Sequence, residues 1–205
     1  MNWIKNYFDT LQRLILTTTV TDLQNNTIDL EQGFERHFHF VKSTHEKKGK
    51  VIMIGNGGSA AIASHLAIDY SKNGRIPALA FSDAAALTCL SNDYGYEYVF
   101  AKQIEYHAKP EDTLIAISSS GRSMNILNAV SVAKKLGCKV ITYSGFKEKN
   151  PLNLSGDLNF YIASLEYGYV EVAHTGLGHA ILDYTMAKKN ISLEKSPEPL
   201  LAIAD

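Results

Sequence analysis

Apolar residues near the start of the chain recur at three- and four-residue intervals: Trp3, Ile4, Tyr7, Phe8, Leu11, Leu14 and Ile15. That period predicts an amphipathic helix reaching about residue 23. Asp29 followed by Gln32 has the form of a capping box, and Phe34, Phe38 and Val41 carry one apolar face onward. A second helix is therefore expected, ending at the polar run KSTHEKKGK, which reads as a solvated turn and not as a binding patch. From residue 50 the pattern changes. Short apolar runs, VIMI (51–54), PALAF (77–81), TLIAIS (113–118), VITYS (140–144) and LNFYI (158–162), alternate with helical periods at about 59–72, 83–90, 95–107, 123–136 and 166–187. Strands without polar alternate positions are those buried on both faces. The expected fold is α/β, a doubly wound parallel five-stranded sheet flanked by helices, with two N-terminal helices. It forms one domain over residues 1–205, with 1–48 as the helical extension and 50–188 as the α/β core. The tail SLEKSPEPLLAIAD reads either as an extended arm or as a short apolar end packed on a partner subunit.

Composition narrows the partners. With 205 residues, 45% of them hydrophobic, and a formal net charge of -1, the chain can bury one sizeable core but gathers no polyanion by long-range attraction. Nucleic acid is not an expected partner. No run approaches the roughly 18 apolar residues of a membrane span, and the first residues lack the basic start and cleavage site of a signal peptide. Cys89 and Cys138 both lie in apolar segments and read as reduced core thiols of a cytoplasmic protein.

The chemistry gathers in three stretches. In VIMIGNGGSAAIASHLAIDYSK (51–72), a strand runs into Gly55, Asn56, Gly57, Gly58 and Ser59 and then into a helix. Glycines let a backbone approach a ligand, and a helix start aims unpaired N–H groups at an anion, so the loop reads as a phosphate cradle. Gly55, Gly57 and Ala60 also fit the looser dinucleotide fingerprint, but the nearest strand-end acid that could hold a ribose, Asp83, lies 28 residues past Gly55, where about 20 is usual. The second stretch, ISSSGRSMNIL, sets Ser118, Ser119, Ser120 and Ser123 around Gly121 at another helix start, with Arg122 as an available cation. Such hydroxyls either bind phosphate oxygens or merely cap the helix. Two cradles favour a phosphosugar over a nicotinamide cofactor.

The third stretch pairs with the first helix. His65 and Asp69, one turn apart, share a face, a spacing that taken alone reads as a surface ion pair or helix support more often than as a site. In YVEVAHTGLGHAILDY, Glu171, His174 and His179 interrupt an apolar helix, and at about 100° per residue Glu171 and His179 point the same way. If the helices meet, His65, Asp69, Glu171 and His179 make a cluster suited to zinc ligation or acid–base work.

These residues resemble a known family. GNGGSAA with a following His, SND before a long helix, ISSSGRS with NIL, and a late helix with E…H…H are similar to the sugar isomerase (SIS) domain proteins, and among them to the phosphoheptose isomerases. The resemblance covers nearly the whole chain. It implies a flavodoxin-like SIS fold, conversion of sedoheptulose 7-phosphate to a heptose 7-phosphate for lipopolysaccharide or capsule precursors, and a cytoplasmic homotetramer without nucleotide cofactor. It implies that Asn56, Gly57, Gly58, Ser59, Asn92, Asp93, Ser118, Ser119, Ser120, Ser123 and Glu171 contact the sugar phosphate. It further implies that His65, Asp69, Glu171 and His179 bind zinc or catalyse, with Asp69 as base and His179 as acid, roles that can be exchanged. Three departures are visible: Asp69 where the family usually has Glu, Glu171 where it has Gln, and Asn73 where it has Arg, with Arg75 nearby as a substitute. The rival reading is a non-catalytic phosphosugar-binding regulator or assembly protein, which tends to lose the carboxylate at position 69.

Overall fold

The computed structural model describes residues 2–189; the tail from Ser192 lies outside them. Helix α1 (Trp3–Leu16) opens on Asn2, whose side chain accepts the Lys5 N–H, and stops well before residue 23. The reason is the run Thr17, Thr18, Thr19, Val20, Thr21, whose β-branched residues prefer extended backbone. The Thr17 and Thr18 hydroxyls close the helix by donating to the Arg13 and Ile15 carbonyls. Strands β1 (Thr19–Asp22) and β2 (Thr27–Ile28) follow as a hairpin, its turn folded by the Asp22 carboxylate accepting the Gln24 and Asn26 N–H groups. Helix α2 (Leu30–Glu46) begins as expected, with Asp29 accepting the Gln32 N–H at 2.7 Å.

The remaining elements are β3 (Val51–Ile54), α3 (Gly58–Lys72), β4 (Ala78–Ala80), α4 (Ala84–Tyr94), a 3-10 turn (Tyr96–Tyr98), α5 (Val99–His107), β5 (Thr113–Ser118), α6 (Met124–Leu136), β6 (Lys139–Ser144), β7 (Leu158–Tyr161) and α7 (Tyr167–Lys188). All five expected parallel strands are present, in the order β7-β6-β5-β3-β4. The sheet is nonetheless seven-stranded and mixed, because β1 pairs antiparallel with β7, Val20 opposite Phe160, and β2 adds to its outer edge. The hairpin between the two leading helices thus corrects the five-stranded expectation.

Two apolar cores lie on opposite faces of this sheet, as the period-2 geometry of a strand requires. Val51 and Met53 of β3 and Ile115 and Ile117 of β5 face the layer of α1, α2, α3 and α7. Ile52 and Ile54, with Leu114 and Ala116, face α4, α5 and α6. Cys138 is buried in the second core, but Cys89 is exposed on α4 and is no core thiol. Its neighbours Ala86, Leu87 and Leu90 made the segment look apolar, yet only Leu90 of that helix is buried. No helix among the described residues is long and apolar enough to cross a membrane.

The chain leaves β3 for β4 on one side and later enters β5 on the other, so the strand order reverses between β3 and β5. At such a reversal the loops outside the carboxyl ends of the two strands part and leave a crevice. The glycine loop and the serine loop are the two walls of that crevice.

Candidate active site

Three helix N-termini converge there. Gly57, Gly58 and Ser59 start α3, Ser123 caps α6, and Tyr167 is the first residue of α7; together with Asn56, Ser118, Ser119, Ser120 and Glu171 they line one cavity of about 250 Å³. Each helix start presents unpaired N–H groups and the positive end of its dipole, so the cavity favours an anion without a fixed cation. Arg122 is exposed and is not among the lining residues. Within the serine loop, Gly121 N–H donates to Ser118 Oγ at 3.2 Å and Arg122 N–H to Ser120 Oγ. The Ser119 hydroxyl is buried and has no hydrogen-bond partner among the described residues. A buried hydroxyl facing a cavity without a partner costs free energy, which a phosphate oxygen accepting from it restores.

The loop depends on Gly121, held at φ +63°, where a Cβ would stand 1.8 Å from Asn150 Oδ1. Asn150 cannot give way cheaply. It is buried, donates to Ser144 Oγ and to the Gly145 and Lys147 carbonyls, and accepts the Asn153 N–H. Gly121→Ala is expected to cost at least about 2 kcal/mol from left-handed strain and broken Asn150 bonds. Thermal denaturation checks this as a midpoint lowered by several degrees.

Further along the same two helices, His65 and Asp69 of α3 meet His179 of α7. Asp69 Oδ2 lies 3.4 Å from His65 Nε2 and 3.7 Å from His179 Nδ1, and the imidazole centroids are 5.2 Å apart. All three side chains offer ligand atoms within 4.8 Å of one another, so the group could hold a metal ion. The helices approach this closely because position 178 is glycine: a Cβ there would stand 2.4 Å from Leu66 Cδ1. Asn73 donates to the other carboxylate oxygen, Asp69 Oδ1, at 3.4 Å.

Glu171 does not join this group. Its carboxylate lies against Gly58, where a Cβ would come within 2.5 Å of it, so it faces the anion cavity instead. Eight residues at 1.5 Å each place Glu171 and His179 roughly 12 Å apart along the axis, a separation that a shared direction around the helix does not remove. His174 belongs to the core, its Nε2 3.1 Å from the Ser144 carbonyl. Asn92 and Asp93 are exposed at the end of α4, bonded to each other, and line none of the anion cavity; Asn92 borders a separate cavity with Thr88, Ser91 and Tyr96.

Tyr167 lines the cavity without having been singled out by its sequence context. Its ring stands edge-on to Phe146 at 4.8 Å, and Phe146 has φ +59°. A helix's first residue carries no spacing signal, so only the geometry exposes it.

The SIS domain family model matches residues 7–145. The phosphoheptose isomerase of Campylobacter concisus is 38% identical over 160 residues, which cover 75% of this chain and 84% of that protein. That of Helicobacter pylori is 33% identical over 167 residues, covering 78% and 86%. The solved phosphoheptose isomerase of Neisseria gonorrhoeae superposes with a TM-score of 0.76 at 26% identity, over 90% of this chain and 97% of its own.

Proposed function

We propose, since the chain belongs to the phosphoheptose isomerase family of SIS domain proteins, that it interconverts sedoheptulose 7-phosphate and D-glycero-D-manno-heptose 7-phosphate through an enediolate. One observation carries this reading: α3 and α7 hold an anion cavity at their N-termini and, further along the same helices, a carboxylate between two imidazoles. A terminal phosphate gripped at the cavity lays the sugar chain along the two helices toward that group. Binding energy far from the reacting carbons then fixes their position.

In the ketose-to-aldose direction, the Asp69 carboxylate takes a proton from C1. The C–H electron pair becomes the C1–C2 double bond, and the C2 carbonyl oxygen, receiving the displaced pair, is protonated by the His179 imidazolium. Asp69, its abstracted proton having exchanged with solvent, delivers one to C2, His179 recovers one from the C1 hydroxyl, and an aldehyde remains at C1. His65, 3.4 Å from the same carboxylate oxygen, holds Asp69 in place. Glu171, beside Gly58, accepts hydrogen bonds from sugar hydroxyls near the phosphate.

Two imidazoles and a carboxylate are a zinc donor set, and the closeness of His65, Asp69 and His179 fits a single ion. Zinc held there by His65, Asp69 and His179 would supply Lewis-acid polarisation of the substrate's oxygens in place of protonation by His179. The exposed apolar residues Trp3, Ile4 and Phe8 of α1 support burial of that helix in a homotetramer. One domain and one sugar phosphate per site complete the proposal.

Incubation with sedoheptulose 7-phosphate, followed by NMR, tests it. An aldose anomeric proton appearing with time is the expected result. Saturable binding of the sugar without conversion would make the protein a phosphosugar-binding module instead.

A further inference from the structure

Asn56 stands on the wall of the anion cavity, and three hydrogen bonds fix which way its amide faces. Ile126 N–H donates to Asn125 Oδ1 at 2.9 Å, and because a backbone N–H can only donate, that oxygen's identity is settled. Asn125, buried on α6, then has its Nδ2 free to donate to Asn56 Oδ1 at 2.9 Å, while Asn56 Nδ2 donates back to Asn125 Oδ1 at 3.0 Å. The Tyr96 hydroxyl donates to Asn56 Oδ1 at 3.0 Å and takes up its remaining lone pair. Both acceptor sites of Asn56 are thereby spent. One Nδ2 hydrogen is left over, and it is a donor.

We infer that Asn125 and Tyr96 are positioning residues that lock the Asn56 amide with its N–H toward the cavity, so that this wall offers only a donor to the ligand. The inference rests on the reading of the cavity as the phosphate site. A wall that can only donate favours a group that can only accept, such as an ionised phosphate oxygen, over a neutral sugar hydroxyl, and no Asn56 rotation reverses it while the two partners stand. Sequence spacing does not reveal the arrangement: Tyr96 lies 40 residues from Asn56 and Asn125 lies 69 away.

The test is a double-mutant cycle read by 31P NMR titration with inorganic phosphate, together with KM and kcat for sedoheptulose 7-phosphate. Tyr96→Phe removes one hydroxyl at a half-exposed ring and leaves folding intact. Asn125→Leu removes the donor to Asn56 with nearly the same shape and no added charge, Ile126 N–H keeping the Ser123 carbonyl as its acceptor, so the Asn56 amide is free to turn over. Each is expected to weaken phosphate about tenfold and to raise KM by a similar factor with kcat within about twofold, since the contact is remote from the reacting carbons. In an Asn56→Ala background neither change is expected to weaken phosphate further. Equal weakening in both backgrounds, or wild-type affinity in both single variants, would overturn the inference alone. Wild-type protein that binds no phosphate would overturn the phosphate-site reading and this inference with it.

Discussion

Asp69→Asn is expected to lower kcat by about 10²–10⁴-fold, with KM for the sugar phosphate changed far less. The substitution keeps shape and removes the basic oxygen that lies between His65 and His179. The anion cavity is formed by other residues at the opposite end of the helices, so affinity for the phosphate persists. His179→Ala is expected to fall into the same range. In the proposed mechanism the two groups pass protons to and from one intermediate, so the double variant is expected to be scarcely slower than the worse single one. Steady-state kinetics decide the point. A variant that loses affinity in step with rate would show that Asp69 binds substrate and does not transfer its proton.

Acid is expected to destabilise the fold strongly through two core histidines. Burial pushes His37 down to about 3 and His174 down to about 4, from an ordinary value of 6.5, the hydrogen bond between His174 and the Ser144 carbonyl opposing only part of the effect. Both rings are neutral in the native protein, whereas the unfolded chain takes up a proton at each below pH 6.5. The unfolded state therefore binds more protons, and the stabilisation, complete above 6.5, is lost as pH falls toward the folded values. Between pH 7 and pH 4.5 the loss is on the order of 5 kcal/mol for the pair. Neither nitrogen of His37 has a hydrogen-bond partner among the described residues, so His37→Phe breaks none and keeps a ring beside Tyr70 and Phe160. Urea unfolding over this pH range is expected to show that variant losing about half as much stability as the wild type. An unchanged fall would remove His37 from the account.

Most of the strand framework is readable from the apolar runs. TLIAIS is β5 residue for residue, because a central parallel strand buries every side chain and leaves no polar position to confuse its ends. The leading hairpin is not readable in the same way: Thr19, Val20 and Thr21 continue an apolar period that helix and strand can both satisfy. The site divides along a similar line. The two loops are announced by glycine and serine clusters, and His65 and Asp69 by a one-turn spacing. The meeting of His179 with Asp69 depends on how α7 lies against α3, set by Gly178 under Leu66, whereas the separation of Glu171 from His179 follows from helix rise alone. Asn125 and Tyr96 act through contacts from separate elements, which no local pattern encodes.

The central claim is that one pair of helices binds the phosphate at their starts and moves the proton further along. Conversion of sedoheptulose 7-phosphate in deuterium oxide tests this most directly, comparing wild type, Asp69→Asn and Ser119→Ala at saturating and subsaturating substrate. The account predicts deuterium at C2 of the aldose from the wild type, almost none from Asp69→Asn at any concentration, and recovery of the Ser119→Ala rate at saturation. Undiminished deuterium incorporation by Asp69→Asn would contradict it.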